Sequence, residues 1–428
     1  MPSRTHPAAT LGVLTALNFL NYIDRYVLFA VQPLIQQEPG FQRGDFYYGL
    51  LTTAFFCCYM IAAPICGHFA DRGPRRRLVI AGAVVWSLAT LLTAATRDYW
   101  ALFVRHAIVG IGEATFVTIA PGYIADLFAE DKRGRKLAIF YTAIAIGPAA
   151  GYAIGGLLGH RYGWRVPFYV VAAPGLLLAT LMLLLPEPKR GATDTLEETR
   201  ERASILGLLH NGAYLTSTLG MAMYTFAIGG LSVWMPTFLA RSRSISLEGA
   251  NLLLGVMLLF GVAATLAGGQ VADWWLRRAS AAYYQVSAVA LVLAAPLMAV
   301  AILARGTVML VAMGAAIFMI FFNTGPLNAA VVDSVSARIR ASAIAINLFA
   351  IHVLGDVPSP PLIGYISDRA HSLQAGFLAT IAAIVIAAAI LFYGARYAPP
   401  LRSAISGRQP AICSGRPESR SAESGADR

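Results

Sequence analysis

The chain is a succession of long apolar runs cut by short charged loops. Ten stretches contain no Asp, Glu, Lys or Arg: residues 5–23, 46–70, 78–96, 137–160, 166–186, 203–240, 249–272, 279–304, 306–332 and 370–395. A helix rising about 1.5 Å per residue needs about 20 mostly apolar residues to cross a hydrocarbon core roughly 30 Å thick. Two more runs reach that length once isolated charges are admitted: 99–125 with Arg105 and Glu113, and 341–367 with Asp356. The first run continues through Asp24 and Arg25 to about Pro33. The pattern predicts an all-α membrane protein of twelve transmembrane helices.

The chain also repeats itself. Gly67-His-Phe-Ala-Asp71-Arg72 after the second predicted helix has a counterpart in Gly269-Gln-Val-Ala-Asp273 after the eighth, which is followed by Arg277-Arg278. Arg133-Gly-Arg135 after the fourth returns as Arg338-Ile-Arg340 after the tenth. The offsets, 202 and 205 residues, fit two six-helix halves in the same orientation, as in rocking transporters. The expected organisation is an N-terminal half over 1–186, a cytoplasmic linker over 187–210, a C-terminal half over 211–398 and a disordered cytoplasmic tail over 399–428.

Composition agrees with lipid as the main solvent. Hydrophobic residues make up 57% and charged residues 13%, with a mean hydropathy of +0.63. Soluble domains carry about 25% charge, and disordered chains lack this much apolar surface. The net charge of +11 raises the question of nucleic acid, but the cations sit in short loops and not along a polar face. Placing the N-terminus in the cytoplasm puts 23 of the 33 Lys and Arg on the cytoplasmic side and 8 on the other, with Arg25 and Arg105 inside spans. The positive-inside bias therefore predicts that both termini are cytoplasmic. Only 3 of the 33 cations are Lys, which suggests a GC-rich bacterium and hence the inner membrane.

Cys57, Cys58, Cys66 and Cys413 form no disulfide framework. The first apolar run is too long for a signal peptide and leads into Asp24-Arg25, so it is expected to be a retained helix. No HExxH, paired CxxC, P-loop or GxGxxG is present, and Gly110-Ile-Gly112 lies in mid-span, where close helix packing explains it. Neither an enzyme, a metal site nor a bound cofactor is expected.

The informative residues are the polar ones inside the spans, where a charge costs on the order of 2.5–3.5 kcal/mol even on a lenient scale. Asn18, Asn21 and Arg25 recur at i, i+3 and i+7 on the first helix, with Asp24 beside them. Arg105 and Glu113 are eight residues apart on the fourth. These two acids and two arginines could simply neutralise one another and pin the two helices together. Alternatively, an acid that is alternately wetted and dried, with an arginine moving beside it, would load and release a proton. His352 and Asp356 share a face of the eleventh helix at i and i+4, as a titrating switch or as a helix–helix hydrogen bond. Pro358-Ser-Pro360-Pro361, and Asn323 and Asn328 around Pro326, predict kinks. Asp71 with Arg72, and Asp273 with Arg277, fall at cytoplasmic helix ends, as solvated loops or as gating latches between the halves. Tyr214, Met221, Tyr224, Phe226 and Trp234 on the seventh helix either pack or line a path for lipid tails.

Gly67-His-Phe-Ala-Asp71-Arg72-Gly73-Pro-Arg75-Arg76-Arg77 resembles the helix 2–3 loop of the major facilitator superfamily. Within it, the chain is similar to the spinster lipid transporters. The carriers are Asn21-Tyr-Ile-Asp24-Arg25, Gly110-Ile-Gly-Glu113-Ala-Thr, Ile119-Ala-Pro121-Gly-Tyr-Ile-Ala-Asp126-Leu-Phe, Phe140-Tyr141, and Leu354-Gly-Asp356-Val-Pro358-Ser-Pro360 with Ile363-Gly364. The resemblance implies proton coupling at Asp24 and Glu113, with Arg25 holding an anionic headgroup. Asn21, Arg105, His352 and Asp356 complete the expected substrate site. It also implies an amphipathic lipid substrate, such as a lysophospholipid or sphingolipid, moved by alternating access with the proton as coupling ion. Small organic anions or drugs are an alternative substrate class, and a non-transporting scaffold or receptor a further alternative. A monomer surrounded by membrane lipid, without nucleic acid, is expected.

Overall fold

The computed structural model describes residues 7–185, 187–188, 205–335 and 339–398. Among the described residues the regular structure is helical. The N-terminal half comprises α1 (Pro7–Ile35), α2 (Asp45–Arg72), α3 (Arg75–Thr93), α4 (Tyr99–Leu127), α5 (Glu130–Tyr162) and α6 (Val166–Leu183). The short α7 (Ile205–Leu209) precedes the C-terminal half: α8 (Gly212–Arg243), α9 (Leu247–Leu276), α10 (Ala282–Leu303), α11 (Gly306–Phe322), α12 (Thr324–Asp333), α13 (Arg340–Ile351), α14 (Ser359–Ala370), α15 (Leu373–Gly376) and α16 (Leu378–Gly394). Among the described residues, eleven segments are long and apolar enough to cross a membrane. The twelfth long helix, α1, has 29 residues and falls short on apolarity alone, because Asn18, Asn21, Asp24 and Arg25 interrupt it. Of the expected linker, residues 189–204 lie outside the described residues, as does the whole tail 399–428.

The expected kinks are breaks. α11 and α12 form one span divided at Asn323, whose side-chain amide donates to the Ile320 carbonyl at 2.6 Å. Between α13 and α14 the backbone widens into a π-helical turn, His352–Asp356, where the Val357 N–H reaches back to the His352 carbonyl at 3.0 Å. Pro358, Pro360 and Pro361 follow at once and lack the N–H groups that would regularise it. Single-turn π insertions of this kind concentrate at functional sites.

Glycines set how closely helices approach. Gly147, Gly151, Gly155 and Gly159 recur every four residues on α5 and lie against α1. A Cβ at these positions would come within 2.5 Å of Tyr22 Cβ, 2.7 Å of Tyr26 Cβ, 2.5 Å of Ala30 Cβ and 2.7 Å of Val31 Cγ1. Gly156, on an adjoining face, meets Asn251 of α9 in the other half. Without a hydrophobic drive between helices in lipid, small residues of this kind provide the association through close van der Waals contact. Gly151→Val should force α1 off α5 and destabilise the fold by about 1–3 kcal/mol, the usual result of overpacking a filled contact. Thermal unfolding of the purified protein in detergent measures it, and an unchanged midpoint would contradict the contact.

The two halves meet towards one end of the bundle. The chain enters at α1 and leaves after α16 at what is here termed the near end; the loops around Phe41–Asp45, Ser244–Ser246 and His371–Ser372 mark the far end. At the far end α2 packs on α14, and α5 on α9. Gly49 touches the backbone of Pro360 and Pro361, and Gly364 that of Asp45. Towards the near end α14 gives way to α13, which packs on α8 and the π-helical turn. There the apolar faces of α2 (Ile61, Ile65, Phe69), α5 (Ile139, Ile144) and α13 (Leu348, Phe349) are exposed. Contacts between the halves are concentrated towards the far end.

Candidate functional site

α1 and α4 bring the central charges together. Arg25 Nη2 donates to Glu113 Oε2 at 2.7 Å, with Glu113 fully buried and the Arg25 side chain 15% exposed. The pair is only half satisfied: Glu113 Oε1 and Arg25 Nε have no hydrogen-bond partner among the described residues. Asn21, one turn before Arg25, is fully buried beside them and within reach of the Glu113 carboxylate. Removing one member of a buried ion pair strands the other, at about 3–5 kcal/mol. The arrangement is therefore tense with respect to either charge.

Asp24 and Arg25 are adjacent in sequence but do not pair. Successive residues on a helix point about 100° apart, so Asp24 turns towards α3, where the Thr90 hydroxyl donates to Oδ2 at 3.2 Å. It is buried, and Oδ1 has no partner. Arg105 does not reach the cluster. Eight residues from Glu113, about 12 Å along the axis, it donates to the Leu92 carbonyl at the end of α3, at 2.5 Å. The residue that occupies the expected place is its neighbour His106, buried and stacked on Phe55 at 5.2 Å. The signal was present: His106 precedes Glu113 by seven residues, two turns, and so shares its face more closely than Arg105.

The C-terminal half contributes a second acid–base pair on the π-helical turn. His352 Nδ1 lies 2.6 Å from Asp356 Oδ2, with side-chain exposures of 26% and 11%. Phe56 of α2 stacks on the His352 ring at 5.0 Å and 23°, and the Arg25 guanidinium lies 5.4 Å from the same Phe56 ring and 4.6 Å from Phe55. Glu113, Arg25, Phe56, His352 and Asp356 thus form one contiguous line across the boundary between the halves. The sequence predicted the four charged members; Phe56, which joins them, is an unremarkable position in an apolar run.

The expected latch residues lie at the near end. Arg72 turns to His68 of its own helix, and Asp71 is exposed at the end of α2. The buried cation of this loop is Arg75, which meets Asp126 of α4 at 2.5 Å, while its backbone N–H donates to Glu187 at 2.7 Å. Asp273 accepts from the Tyr283 hydroxyl at 3.1 Å, and Arg277 caps the end of α9.

The far-end seal has its own polar lock, which the sequence analysis missed. Asp45 of α2 accepts from Arg241 of α8 at 2.9 and 3.1 Å, from Ser367 of α14 at 2.7 Å and from Gln36 at 3.1 Å. Asp368 of α14 accepts the N–H groups of Asp45 and Phe46 at 2.8 and 2.9 Å, so a carboxylate from one half caps the first turn of a helix in the other. Asp45 and Asp368 lie outside the spans and outside the half repeat that singles out Asp71 and Asp273.

Comparison with known proteins places this geometry in a family. Residues 14–359 match the model of the Major Facilitator Superfamily. Protein spinster homolog 1 of Bos taurus is 35% identical over 398 residues, covering 86% of this chain and 74% of that protein. The sphingosine-1-phosphate transporter SPNS2 of Xenopus tropicalis is 33% identical over 379 residues, covering 84% and 74%. Among solved structures, a bacterial homolog to the human lysosomal transporter Spinster, inward-facing and unoccupied, superposes with a TM-score of 0.84 at 24% identity, covering 92% of this chain and 98% of that one. A D-xylose-proton symporter shares the fold at a TM-score of 0.71 and 18% identity, covering 92% and 98%. The chain belongs to the major facilitator superfamily and, within it, to the spinster proteins, and it is a multi-pass membrane transporter.

Proposed function

We propose that this protein moves an amphipathic lipid, of the lysophospholipid or sphingolipid class, by alternating access coupled to protons. The carrying observation is the half-satisfied Arg25–Glu113 pair, buried beside the Phe56–His352 contact where the two halves meet. An arginine is suited to hold a phosphate headgroup, and an acid that loses its arginine to that headgroup would take up a proton. Asp24 is the second proton-binding candidate. Asn21, His352 and Asp356 line the same boundary and complete the substrate site, while Arg105, held at Leu92, would join only after a rearrangement. Asp71, Arg72, Asp273 and Arg277 are the near-end gating residues of the alternate state. The relative named as a sphingosine-1-phosphate transporter supports the lipid reading.

Both termini are assigned to the cytoplasm of a bacterial inner membrane from the loop cations, so the near end faces inward. The test is uptake into proteoliposomes under an imposed pH gradient, comparing a lysophospholipid with a small organic anion. The reading expects gradient-dependent uptake of the lysolipid and little of the anion. The opposite preference would assign the site to small organic anions, and no flux of either would leave a non-transporting role.

A further inference from the structure

At the far end of the C-terminal half, a pocket of about 360 Å³ lies between the α8–α9 turn and the start of α11. We propose that it binds a phosphate group. Its polar lining is Ser242, Arg243, Ser244 and Arg305, with Gly306 and Met309 beside them and no carboxylate. The two guanidinium groups are close enough to act on each other electrostatically. At this end Arg161 meets Glu248, Arg165 meets Glu38 and Arg241 meets Asp45, whereas among the described residues Arg243 and Arg305 form no ion pair.

Arg243 does not simply extend towards water. It folds back, donating to the Ser242 carbonyl at 3.1 Å and to the Ile302 carbonyl, with its guanidinium 4.7 Å over the Phe238 ring. Its Nε is buried without a hydrogen-bond partner. Arg305 occupies the N-cap position of α11 and makes no side-chain cap, so the first N–H groups of that helix lack one. Two cations, two serine hydroxyls and an uncapped helix start form a site rich in donors and poor in acceptors. A phosphate, with acceptor oxygens and negative charge, complements it, and guanidinium forks match its geometry.

The phosphate could belong to a phospholipid headgroup or to a free anion. The apolar side chains of Leu303, Val308 and Val311 are exposed next to the pocket, where acyl chains would lie. The site is far from the Arg25–Glu113 pair, so the inference is independent of the transport reading.

The experiment uses the full chain in two arms. In maltoside detergent and phosphate-free buffer, thermal unfolding is followed against inorganic phosphate, with chloride at matched ionic strength as reference. In nanodiscs, lipid retained after release is measured by native mass spectrometry for phosphatidylglycerol against a phosphate-free glycolipid. One retained phosphatidylglycerol is expected, weakened about tenfold by Arg305→Gln, the loss of one charge-assisted contact. Arg305 is exposed, so this variant should fold; Arg243→Gln is the stronger but riskier substitution. Stabilisation by inorganic phosphate, lost in Arg305→Gln, would assign a free-anion site; retention of the lipid alone would assign a headgroup site. The proposal is overturned if neither arm shows phosphate-dependent binding, or if Arg305→Gln binds as the parent does.

Discussion

Glu113→Gln should abolish uphill transport driven by a pH gradient while leaving the protein folded and able to bind substrate. The carboxylate is fully buried and Arg25 is its direct ionic partner, at 2.7 Å. Glutamine keeps the size and an acceptor oxygen, but it neither takes up a proton nor balances the arginine. The stranded Arg25 charge is worth about 3–5 kcal/mol, and even one third of that, expressed in the transport cycle, is on the order of tenfold in rate. Two measurements separate coupling from folding: gradient-driven accumulation in proteoliposomes and exchange of substrate at equal pH. The expected outcome is accumulation reduced at least about tenfold with exchange retained. Accumulation at the parental level would remove Glu113 from the coupling mechanism. Arg25→Ala should differ, weakening both measurements, because the proposed headgroup contact is lost along with the ion pair.

The second large effect concerns the far-end lock. Asp368→Ala removes the cap that one half places on α2 of the other, and Asp45→Asn weakens the contact with Arg241. A lost cap costs about 0.5–2 kcal/mol and a lost charged hydrogen bond about 1.5–3 kcal/mol. A shift of one or two kcal/mol changes a two-state ratio by about 5–30-fold. The lock exists only while the far end is closed, so its loss acts on that state alone and moves the population towards the far-end-open form. Spin labels at Gln42 and Thr307, exposed on opposite halves at the far end, in a chain with its four cysteines replaced, would report the change as a second, longer distance. An unchanged distance distribution in both variants would show that the seal rests on the apolar and glycine contacts of α2 with α14.

Much of the fold was legible because the membrane imposes it. Apolar runs of spanning length, cut by arginines, leave little freedom in where the helices lie. The α1 span was legible for the opposite reason: its Asn18, Asn21, Asp24 and Arg25 are too expensive in lipid to be accidental. The pairing of these charges was less legible. Asp24 and Arg25 read as a couple, yet the helical turn sends one to Thr90 and the other to Glu113. Arg105 was chosen over His106 because charge is conspicuous and helical phase is not. His352 and Asp356 were visible as an i, i+4 pair, but the π-helical turn beneath them depends on backbone hydrogen bonds that no residue type announces. Across the halves the far-end lock joins residues more than 190 positions apart, and such contacts follow only from how the halves are docked.

The glycine ladder on α5 has a mechanical consequence. With glycine at every fourth position facing α1, the side chains of Tyr22, Tyr26, Ala30 and Val31 seat directly on the α5 backbone, and a further glycine faces α9. Along the α1 side the ladder is long and continuous, so α1, and the charges it carries, is bound to α5 as one beam. On the α9 side Gly156 meets Asn251 and Gly255 meets Ala149, so α5 also packs along a helix of the other half. α5 therefore stands between α1 and the C-terminal half. Under the proposed alternating access, any tilt of the N-terminal half would carry Arg25 and Asp24 with it as a rigid arm, and the leverage on the central charges would be set by how far they stand from the α5–α9 contact.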